Sequence, residues 1–352
     1  MYSAPLAERY VASLAQEIDS FKTSDSTHID TIYFGGGTPS LLSAKQLEVL
    51  LSAISKRFKL AEGVEITMEM NPGTVTPETL SSFRTLGVNR ASFGAQTFDD
   101  HELARLGRSH TSDDTRRTFR DLRAAGFDNV SFDLIAGLPG QSHAGWKKNL
   151  DEAFALRPEH LSFYLLEVHQ GTPLAEHISR GLQPRPDEEL AIEMYQTMLD
   201  RAVANGYEHY EISNLSLPGF QSRHNTKYWT GAPYFGFGCS SHSYDGKLRR
   251  WANERDVLGY VELVEEGRQP IVTETILTET DREAEAVFLG LRMMHGLSLE
   301  EHKRAFGADL RATHHSDLER FREAGLIECN GDLLKLTRAG ALMSNEVFAA
   351  FV

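Results

Sequence analysis

The sequence predicts an α/β protein whose parallel sheet is covered by helices, and two observations predict it. Short apolar segments of strand length alternate with longer segments of helical periodicity from the start of the chain to residue 212. A glycine-rich or polar turn follows almost every apolar segment. Apolar strands that alternate with amphipathic helices are typical of parallel sheets buried on both faces.

The elements follow one another in a regular order. A helix is predicted over 6–21 and an apolar strand over 29–34. Ser43 and Gln46 have capping-box spacing at the head of the next helix, which ends near Phe58. The alternation continues with strands over 64–70, 88–93, 129–135, 160–166 and 207–212, separated by helices over 76–86, 111–125, 144–156 and 186–204.

Three successive glycines, Gly35, Gly36 and Gly37, follow the first strand and precede Thr38. Glycine has no Cβ and adopts positive φ at no steric cost, so the backbone here can approach a ligand closely. A strand, a glycine turn and a helix together expose main-chain N–H groups to a ligand. The alternative is an ordinary tight turn between a strand and a helix.

Polar side chains lie at the ends of the later strands. They are Glu69, Gln96, Asp133, Glu167 and Glu211. The carboxyl ends of parallel strands are where barrel enzymes place their ligand contacts, so these residues together predict a site. Individually, Glu167 and Glu211 have the alternative of capping a following turn.

The segment 220–246 has a different composition, dense in glycine, aromatic residues and histidine. Its glycines argue against a helix, and its aromatic residues argue against a solvated linker. One interpretation is a loop beside the strand-end site that offers His224 or His242 as a ligand or proton donor. The other is a closing barrel strand with core aromatics. We favour function for His224, because Arg223 and Asn225 flank it, and the structural interpretation for His242.

A second domain is predicted over 275–352, after a first domain over 1–274. Three helical segments precede a hairpin around the turn at 330–332, and a further helix ends the chain, an order that resembles a winged helix. This region has more acidic than basic side chains, so an interaction or lid domain is favoured over DNA binding.

Composition limits the classes of function. The chain has 352 residues and a formal net charge of −14, so nucleic acid is not an expected partner. It has neither an apolar run long enough to cross a membrane nor a signal segment at Met1, and we expect a cytoplasmic protein. Cys239 and Cys329 are the only cysteines, too few for a disulfide framework or a cysteine-only metal site.

An ordered set of motifs resembles one family. The motifs are GGGTPS at 35–40, EMNPG at 69–73, QTF at 96–98, GRSH at 107–110, DLIAGLPG at 133–140, and H-N-x-x-Y-W at 224–229. Together they resemble the radical-SAM proteins related to oxygen-independent coproporphyrinogen III oxidase, and within them the haem-chaperone branch, HemW. The resemblance covers essentially the whole chain.

The resemblance implies an incomplete parallel β/α barrel of the radical-SAM type, with a winged-helix-like C-terminal domain. It implies that S-adenosylmethionine lies against the glycine run at the strand ends. The residues that match the family's cofactor contacts are Gly35, Gly36, Gly37, Thr38, Glu69, Gln96, Arg108 and Asp133. The segment typical of the chaperone branch nominates four residues for haem handling, His224, Asn225, Tyr228 and Trp229.

The family also holds a [4Fe–4S] cluster in a Cys-x3-Cys-x2-Cys loop upstream of the first helix. The sequence given begins at Met1, directly before that helix, and this loop is not in it. Neither cysteine present matches the expected position, so we name no metal ligand and no catalytic residue and expect no radical chemistry from these residues alone. A start assigned too late and a true cluster-free paralogue are the two explanations.

Three functions remain open at this point. The first is a haem chaperone that binds haem and S-adenosylmethionine and delivers haem to acceptor proteins, with membrane-surface contact only through a partner. The second is oxygen-independent coproporphyrinogen III oxidase, an enzyme of porphyrin biosynthesis. The third is a cluster-free interaction protein.

Overall fold

A computed structural model of the chain describes residues 3–24 and 27–351. Met1 and Tyr2, at which the sequence given begins, lie outside the described residues. The helices before residue 222 are α1 (Ala4–Ser20), α2 (Ala44–Arg57), α3 (Pro77–Thr85), α4 (Asp100–Arg105), α5 (Ser112–Ala124), α6 (His143–Leu156), α7 (Pro173–Ser179) and α8 (Glu188–Ala204). The strands are β1 (His28–Phe34), β2 (Lys59–Met70), β3 (Arg90–Gln96), β4 (Val130–Ala136), β5 (His160–Leu165), β6 (Glu208–Glu211) and β7 (Asn214–Ser216).

These seven strands form one sheet in the order β1-β2-β3-β4-β5-β7-β6. Strands β2 to β5 pair in parallel, as predicted. The predicted succession ends there, because β7 lies between β5 and β6 and is antiparallel to both. Only two residues connect β6 to β7, and a connection that short can join only antiparallel neighbours.

Strand alternation separates an apolar face of the sheet from a polar one. On β4, Phe132 and Leu134 are fully buried, whereas Ser131 and Asp133 alternate with them and point to the opposite face. The apolar face packs under helices such as α6, whose Trp146 is also fully buried. The opposite face carries the polar side chains, including that of Asp133, from which a site can be formed.

Helix starts agree with the sequence signals where a cap is present. Ser43 and Gln46 form the predicted capping box of α2. The short helices α4 and α7 were not predicted, since their six and seven residues are too few for a clear helical period. Asp99 and Thr172 cap them.

The prediction that the segment 220–246 contains no helix is wrong. Residues Arg223–Trp229 form a helix, α9, because the glycines that argued against one all follow its last residue. The next elements form a separate three-stranded sheet, so the predicted closing strand is not part of the barrel sheet. The strands of this separate sheet are β8 (His242–Tyr244), β9 (Arg249–Asn253) and β10 (Ile271–Ile276), and the helix α10 (Val257–Glu265) lies between β9 and β10 in the chain.

Aromatic residues of the same segment form a half-buried cluster, not the core of a closing barrel strand. The Phe235 and Phe237 rings lie 4.9 and 5.2 Å from the Phe21 ring, and Phe58 packs against the same group. Aromatic pairs at such centroid distances contribute packing energy beyond their buried area.

The C-terminal elements have the expected order of helices followed by a hairpin. They are α11 (Glu279–Arg292), β11 (Leu297–Ser298), α12 (Leu299–Phe306), α13 (Leu310–Thr313), α14 (His315–Glu323), β12 (Ile327–Asn330), β13 (Leu333–Leu336), α15 (Arg338–Leu342) and α16 (Ser344–Phe348). The short β11 adds a third strand, in the order β11-β13-β12. Gly331 turns the hairpin at a φ of 63°, which favours glycine.

The contacts divide the chain into two units. One comprises residues up to 32, 42–64 and 223–352, and the other comprises 33–41 and 65–222. The predicted boundary at 274/275 stays a prediction. Within the described ranges, no helix combines the length and apolar character needed to cross a bilayer.

Candidate functional site

The glycine run and Glu69 form one side of the strand-end site. The Gly36 amide donates a hydrogen bond to one oxygen of the Glu69 carboxylate at 3.0 Å. The Tyr33 hydroxyl donates to the other oxygen at 2.5 Å. A Cβ on Gly35 would lie 2.5 Å from the Tyr33 ring, so this close approach requires glycine. Gly36 and Gly37 have φ values of 77° and 59°, also favourable to glycine.

Thr38 and the end of β2 are joined by a side-chain hydrogen bond. The Asn71 amide donates to the Thr38 hydroxyl at 3.0 Å. The glycine turn is thus held to β2 at both ends, by Glu69 at its start and by Asn71 at its end. Its three glycines remain exposed, although the Gly36 amide is already hydrogen-bonded to Glu69.

The side chains of Gln96 and Arg108 both lie close to a second glycine, Gly94. Gln96 ends β3 in the left-handed region, with a φ of 64°. A Cβ on Gly94 would lie 2.3 Å from the Gln96 side-chain nitrogen and 3.9 Å from a terminal nitrogen of Arg108. The absence of a side chain at Gly94 therefore determines where the Gln96 amide lies.

Asp133 completes the group on β4. Burial raises the pKa of its carboxyl to about 6, against the effects of a hydrogen bond with Ser162 and of the Arg90 and Arg108 charges. Repulsion from Glu69 adds to the increase. These electrostatic interactions connect Asp133 with Glu69 and Arg108.

Below these residues the polar face of the sheet continues as a buried layer. His160 lies between the Ser131 hydroxyl at 2.8 Å and the Tyr210 hydroxyl at 2.7 Å. Burial and the nearby Arg90 charge lower the pKa of His160 well below its usual value, so the ring is neutral at pH 7. Arg90 itself is 1% exposed, and its Nε has no hydrogen-bond partner among the described residues.

A buried network supports the loops that follow β3 and β4. The Glu102 carboxylate accepts hydrogen bonds from the Thr97 hydroxyl at 2.5 Å and the Gln141 amide at 3.0 Å. Gln141 in turn accepts a hydrogen bond from the Gly137 amide, and Asn149 accepts one from the amide of residue 98. Satisfied networks of this kind hold loops in one conformation.

The strand-end group has the chemistry that S-adenosylmethionine requires. Its carboxylates and amide oxygen are acceptors for an ammonium group and ribose hydroxyls, and the Arg108 guanidinium suits a carboxylate. The structure brings together the predicted residues of this set, which are Gly35, Gly36, Gly37, Thr38, Glu69, Gln96, Arg108 and Asp133. Their role as cofactor contacts stays a prediction.

The second predicted set lies on α9, which is joined to β1 by ion pairs. Lys227 forms an ion pair with Asp30 at 2.7 Å, and Arg223 forms one with the same carboxylate at 3.3 Å. Burial opposes ionisation of Asp30, but the two cations outweigh it and lower the pKa of the carboxyl. Arg223 also donates to the carbonyl of Gly63 at 2.8 Å.

His224 is the second residue of α9, and both nitrogens of its ring have hydrogen-bond partners. Its Nδ1 is 3.0 Å from the Thr31 hydroxyl, and its Nε2 is 3.0 Å from the Tyr228 hydroxyl. If Nδ1–H donates to Thr31, Nε2 accepts from Tyr228 and carries the lone pair that a metal would use. The two hydroxyl groups fix the orientation of the ring.

Trp229 ends α9 beside the C-terminal helix α11. The Arg292 guanidinium lies 4.2 Å from the centre of the Trp229 ring, a cation–π contact. The Tyr228 ring packs edge-on against Tyr234 at 4.8 Å. His224, Asn225, Tyr228 and Trp229 thus share one helix of seven residues, and their role in haem binding stays a prediction.

The three remaining candidates are Glu211, Glu167 and His242. Contacts define a structural role for Glu211 but no role for the other two. Glu211 is fully buried and accepts hydrogen bonds from the Ser213 amide and the Asn214 side chain, so it caps the turn to β7. Glu167 is exposed and 3.4 Å from His169. His242 is exposed at the start of β8, which belongs to the separate three-stranded sheet and not to the closing barrel strand that the structural interpretation gave it.

Sequence reasoning missed several residues of the strand-end site. Tyr33 alternates with Phe34 on β1 and contacts Glu69, a position that strand periodicity could have indicated. Gly94 lies two residues before Gln96, so both belong to the same strand face. Glu102 and Gln141 gave no signal, because their meeting depends on the packing of distant loops.

The fold is that of a radical-SAM protein. Residues 4–153 match the Radical SAM superfamily, and residues 277–343 match the HemN C-terminal domain. The chain is also similar to the solved structure of coproporphyrinogen III oxidase (HemN) from Escherichia coli, with a TM-score of 0.83 over all of this chain and 85% of that one. At 21% identity this likeness establishes the fold alone.

Curated relatives define the family. The chain is 36% identical to the heme chaperone HemW of Bacillus subtilis, over 99% of this chain and 92% of the relative. It is 33% identical to the heme chaperone HemW of Lactococcus lactis, over 98% of this chain and 89% of the relative. The chain belongs to the HemW family of radical-SAM proteins.

Membership in the radical-SAM class implies S-adenosylmethionine and a [4Fe–4S] cluster. The residues given fit the first group, as the acceptors and glycines at the strand ends indicate, but not the second. Cys239 is partly buried and Cys329 is exposed, and both are free thiols. Among the described residues, no three histidine, cysteine or acidic side chains are arranged to hold a metal ion. Clusters of this type need several thiolates, so no step below passes through one.

Proposed function

We propose that this protein binds haem through α9, binds S-adenosylmethionine at the strand ends, and delivers haem to acceptor proteins. The relatives named HemW are described as heme chaperones, and this chain matches them over nearly its whole length. The observation that carries the proposal is the His224 ring, whose two nitrogens are oriented by Thr31 and Tyr228. Histidine is a common metal ligand, and the two hydrogen bonds fix the orientation of this ring.

Haem is the cargo here. On α9, His224 supplies the ligand for its iron, and the Tyr228 hydroxyl competes with that iron for Nε2 of His224. For Nε2 of His224 to bind iron, the Tyr228 hydroxyl must leave its position 3.0 Å away. The cost is one hydrogen bond, about 0.5–1.5 kcal/mol net. Release reverses the exchange, because Tyr228 recovers its bond with His224 when the iron leaves. A ligand with an intramolecular competitor suits a protein that must give its cargo up.

S-adenosylmethionine is proposed to lie against the glycine turn, within reach of Glu69, Gln96, Arg108 and Asp133. When bound with a cluster it supplies radical chemistry in this class of protein. The residues of this chain bind and orient it: Glu69 and Asp133 attract the positive groups, and Arg108 attracts the carboxylate. The likeness to the oxidase is one of fold and does not support the oxidase alternative.

Transfer of haem to an acceptor tests the proposed function. The chain loaded with haem is mixed with apomyoglobin, and the appearance of the myoglobin spectrum is followed. We expect transfer from the loaded chain, and slower transfer from Tyr228→Phe, because that variant lacks the hydroxyl that displaces iron from His224. Failure of the wild-type chain to bind haem, or transfer at the same rate from both proteins, would contradict the proposal.

A further inference from the structure

A cavity of about 370 Å³ lies between the end of α9, the β8–β9 hairpin and the C-terminal helices α11 and α12. Its walls include Trp229, Tyr244, Arg250, Arg282, Glu285 and Phe306. This volume is in the range of sites that bind small molecules. The S-adenosylmethionine set contributes none of its residues.

Two residues that line the cavity carry a buried nitrogen atom without a hydrogen-bond partner among the described residues. Among the described residues, Trp229 Nε1 and Arg250 Nε are both buried and unpaired. Both are N–H donors and cannot accept, so what they lack is an acceptor. Native proteins seldom leave buried donors unpaired, because an unpaired donor is costly. Both atoms are shielded from the open space of the cavity, so a carboxylate there would reach them only after the two side chains turn.

Two arginines lie against aromatic rings in these walls, which also contain Glu285 and Glu301. The Arg250 guanidinium lies 4.9 Å from the Tyr244 ring centre, and Arg282 lies 5.3 Å from the Phe306 ring centre. Arginine beside flat aromatic faces suits a planar ligand that carries carboxylates.

Glu285 occupies one edge of the Arg250 guanidinium, at 2.7 Å. Burial raises the pKa of Glu285, so its ionised form is held at a cost that the Arg250 charge offsets only in part. An incoming carboxylate would compete with Glu285 for Arg250, and removal of the Glu285 charge would remove that competition.

We propose that this cavity receives the propionate carboxylates of the haem bound by α9, with Arg250 as their principal contact. The inference rests on the haem-binding function proposed above and extends it to residues outside the H-N-x-x-Y-W segment. Trp229 connects the two, since it ends α9 and lines the cavity.

The test compares two probes, haem and haem dimethyl ester, whose carboxylates are masked. We expect the wild-type chain to bind haem about tenfold more tightly than the ester. Arg250→Gln should weaken haem binding about tenfold and leave ester binding unchanged. Glu285→Gln should tighten haem binding several-fold, a gain that a merely structural role of the ion pair would not produce.

Arg249→Gln is the matched control. Arg249 precedes Arg250 on β9, pairs with Glu274 at 2.9 Å and does not line the cavity, so its loss should leave both affinities unchanged. Arg250→Gln/Glu285→Gln removes the ion pair without leaving one charge unpaired, and should still lose the preference for haem over the ester. Equal affinity of the wild-type chain for the two probes, or equal weakening of both in the Arg250 variants, would overturn the cavity assignment while leaving haem binding by α9 in place. Absence of haem binding to the wild-type chain would instead overturn the proposed function itself.

Discussion

At the scale of single residues, the strand-end site depends on positions where a side chain is missing. Gly35 lets Tyr33 and Glu69 approach, and Gly94 leaves the space that Gln96 occupies. The glycine run was evident in the sequence, but Gly94 was not, because one glycine inside a strand gives no indication of what fills its place. The same limit applies to Arg90, whose burial depends on residues that pack around it in space.

Gly94→Ala tests how the site positions its amide. The added methyl would lie 2.3 Å from the Gln96 side-chain nitrogen, so we expect that side chain to move and S-adenosylmethionine affinity to fall about tenfold or more. Isothermal titration measures the loss. In a Gln96→Ala background the amide is already gone, and Gly94→Ala should then cost little more. An equal loss in both backgrounds would contradict this explanation.

Asp133→Asn tests the cost of the buried carboxylate. The folded-state pKa of about 6 exceeds the ordinary 3.8, so ionisation of Asp133 destabilises the fold as pH rises from about 4 to 6, and the full cost is present above pH 6. At about 1.4 kcal/mol per pKa unit, the asparagine variant should gain about 2–3 kcal/mol relative to wild type between pH 4 and 7. Urea unfolding at several pH values measures the difference. A difference that does not change with pH would show that Asp133 is not the group responsible.

At the scale of elements, the helix α9 shows where sequence reasoning failed and why. The segment 220–246 was judged by its composition as a whole, yet its glycines and its helical residues occupy separate halves. The ties to Asp30 and Thr31, remote in sequence, stabilise a helix of only seven residues. Isolated helices of this length are not stable in water, so no local pattern could predict it reliably.

Helix α1 is held by a buried acidic residue that the sequence did not indicate. The Glu17 carboxylate accepts hydrogen bonds from the Tyr260 hydroxyl at 2.6 Å, the Asn253 amide at 2.6 Å and the Gly238 backbone at 2.8 Å. Burial raises the pKa of Glu17. The three donors belong to different elements, so Glu17 joins α1 to α10, to β9 and to the loop before β8.

Glu17→Ala should lower the free energy of unfolding by about 2–4 kcal/mol, because three donors lose their acceptor together. Chemical denaturation measures the change. Asp19→Ala, an exposed acidic position on the same helix, is the control and should change stability by less than about 0.5 kcal/mol. Similar losses in both variants would mean that the network contributes nothing specific.

At the scale of the whole molecule, alternation was enough to predict a parallel sheet covered by helices, whereas the incomplete barrel was implied by the resemblance. The parallel order of β2 to β5 followed from apolar strands that alternate with helices, and the C-terminal hairpin followed from its turn. The antiparallel insertion of β7 and the separate sheet of β8 to β10 did not, because strand pairing at an edge depends on which partner is nearest in space.

The central claim is that this protein binds haem through His224. Titration of the purified chain with haem, followed at the Soret band, tests it most directly. We expect saturable binding of one haem with a dissociation constant in the micromolar range or below, and a loss of about tenfold or more in His224→Ala. His242→Ala, an exposed histidine of the same segment, should bind as wild type does. No Soret change with the wild-type chain, or equal affinity in the His224 and wild-type proteins, would contradict the claim.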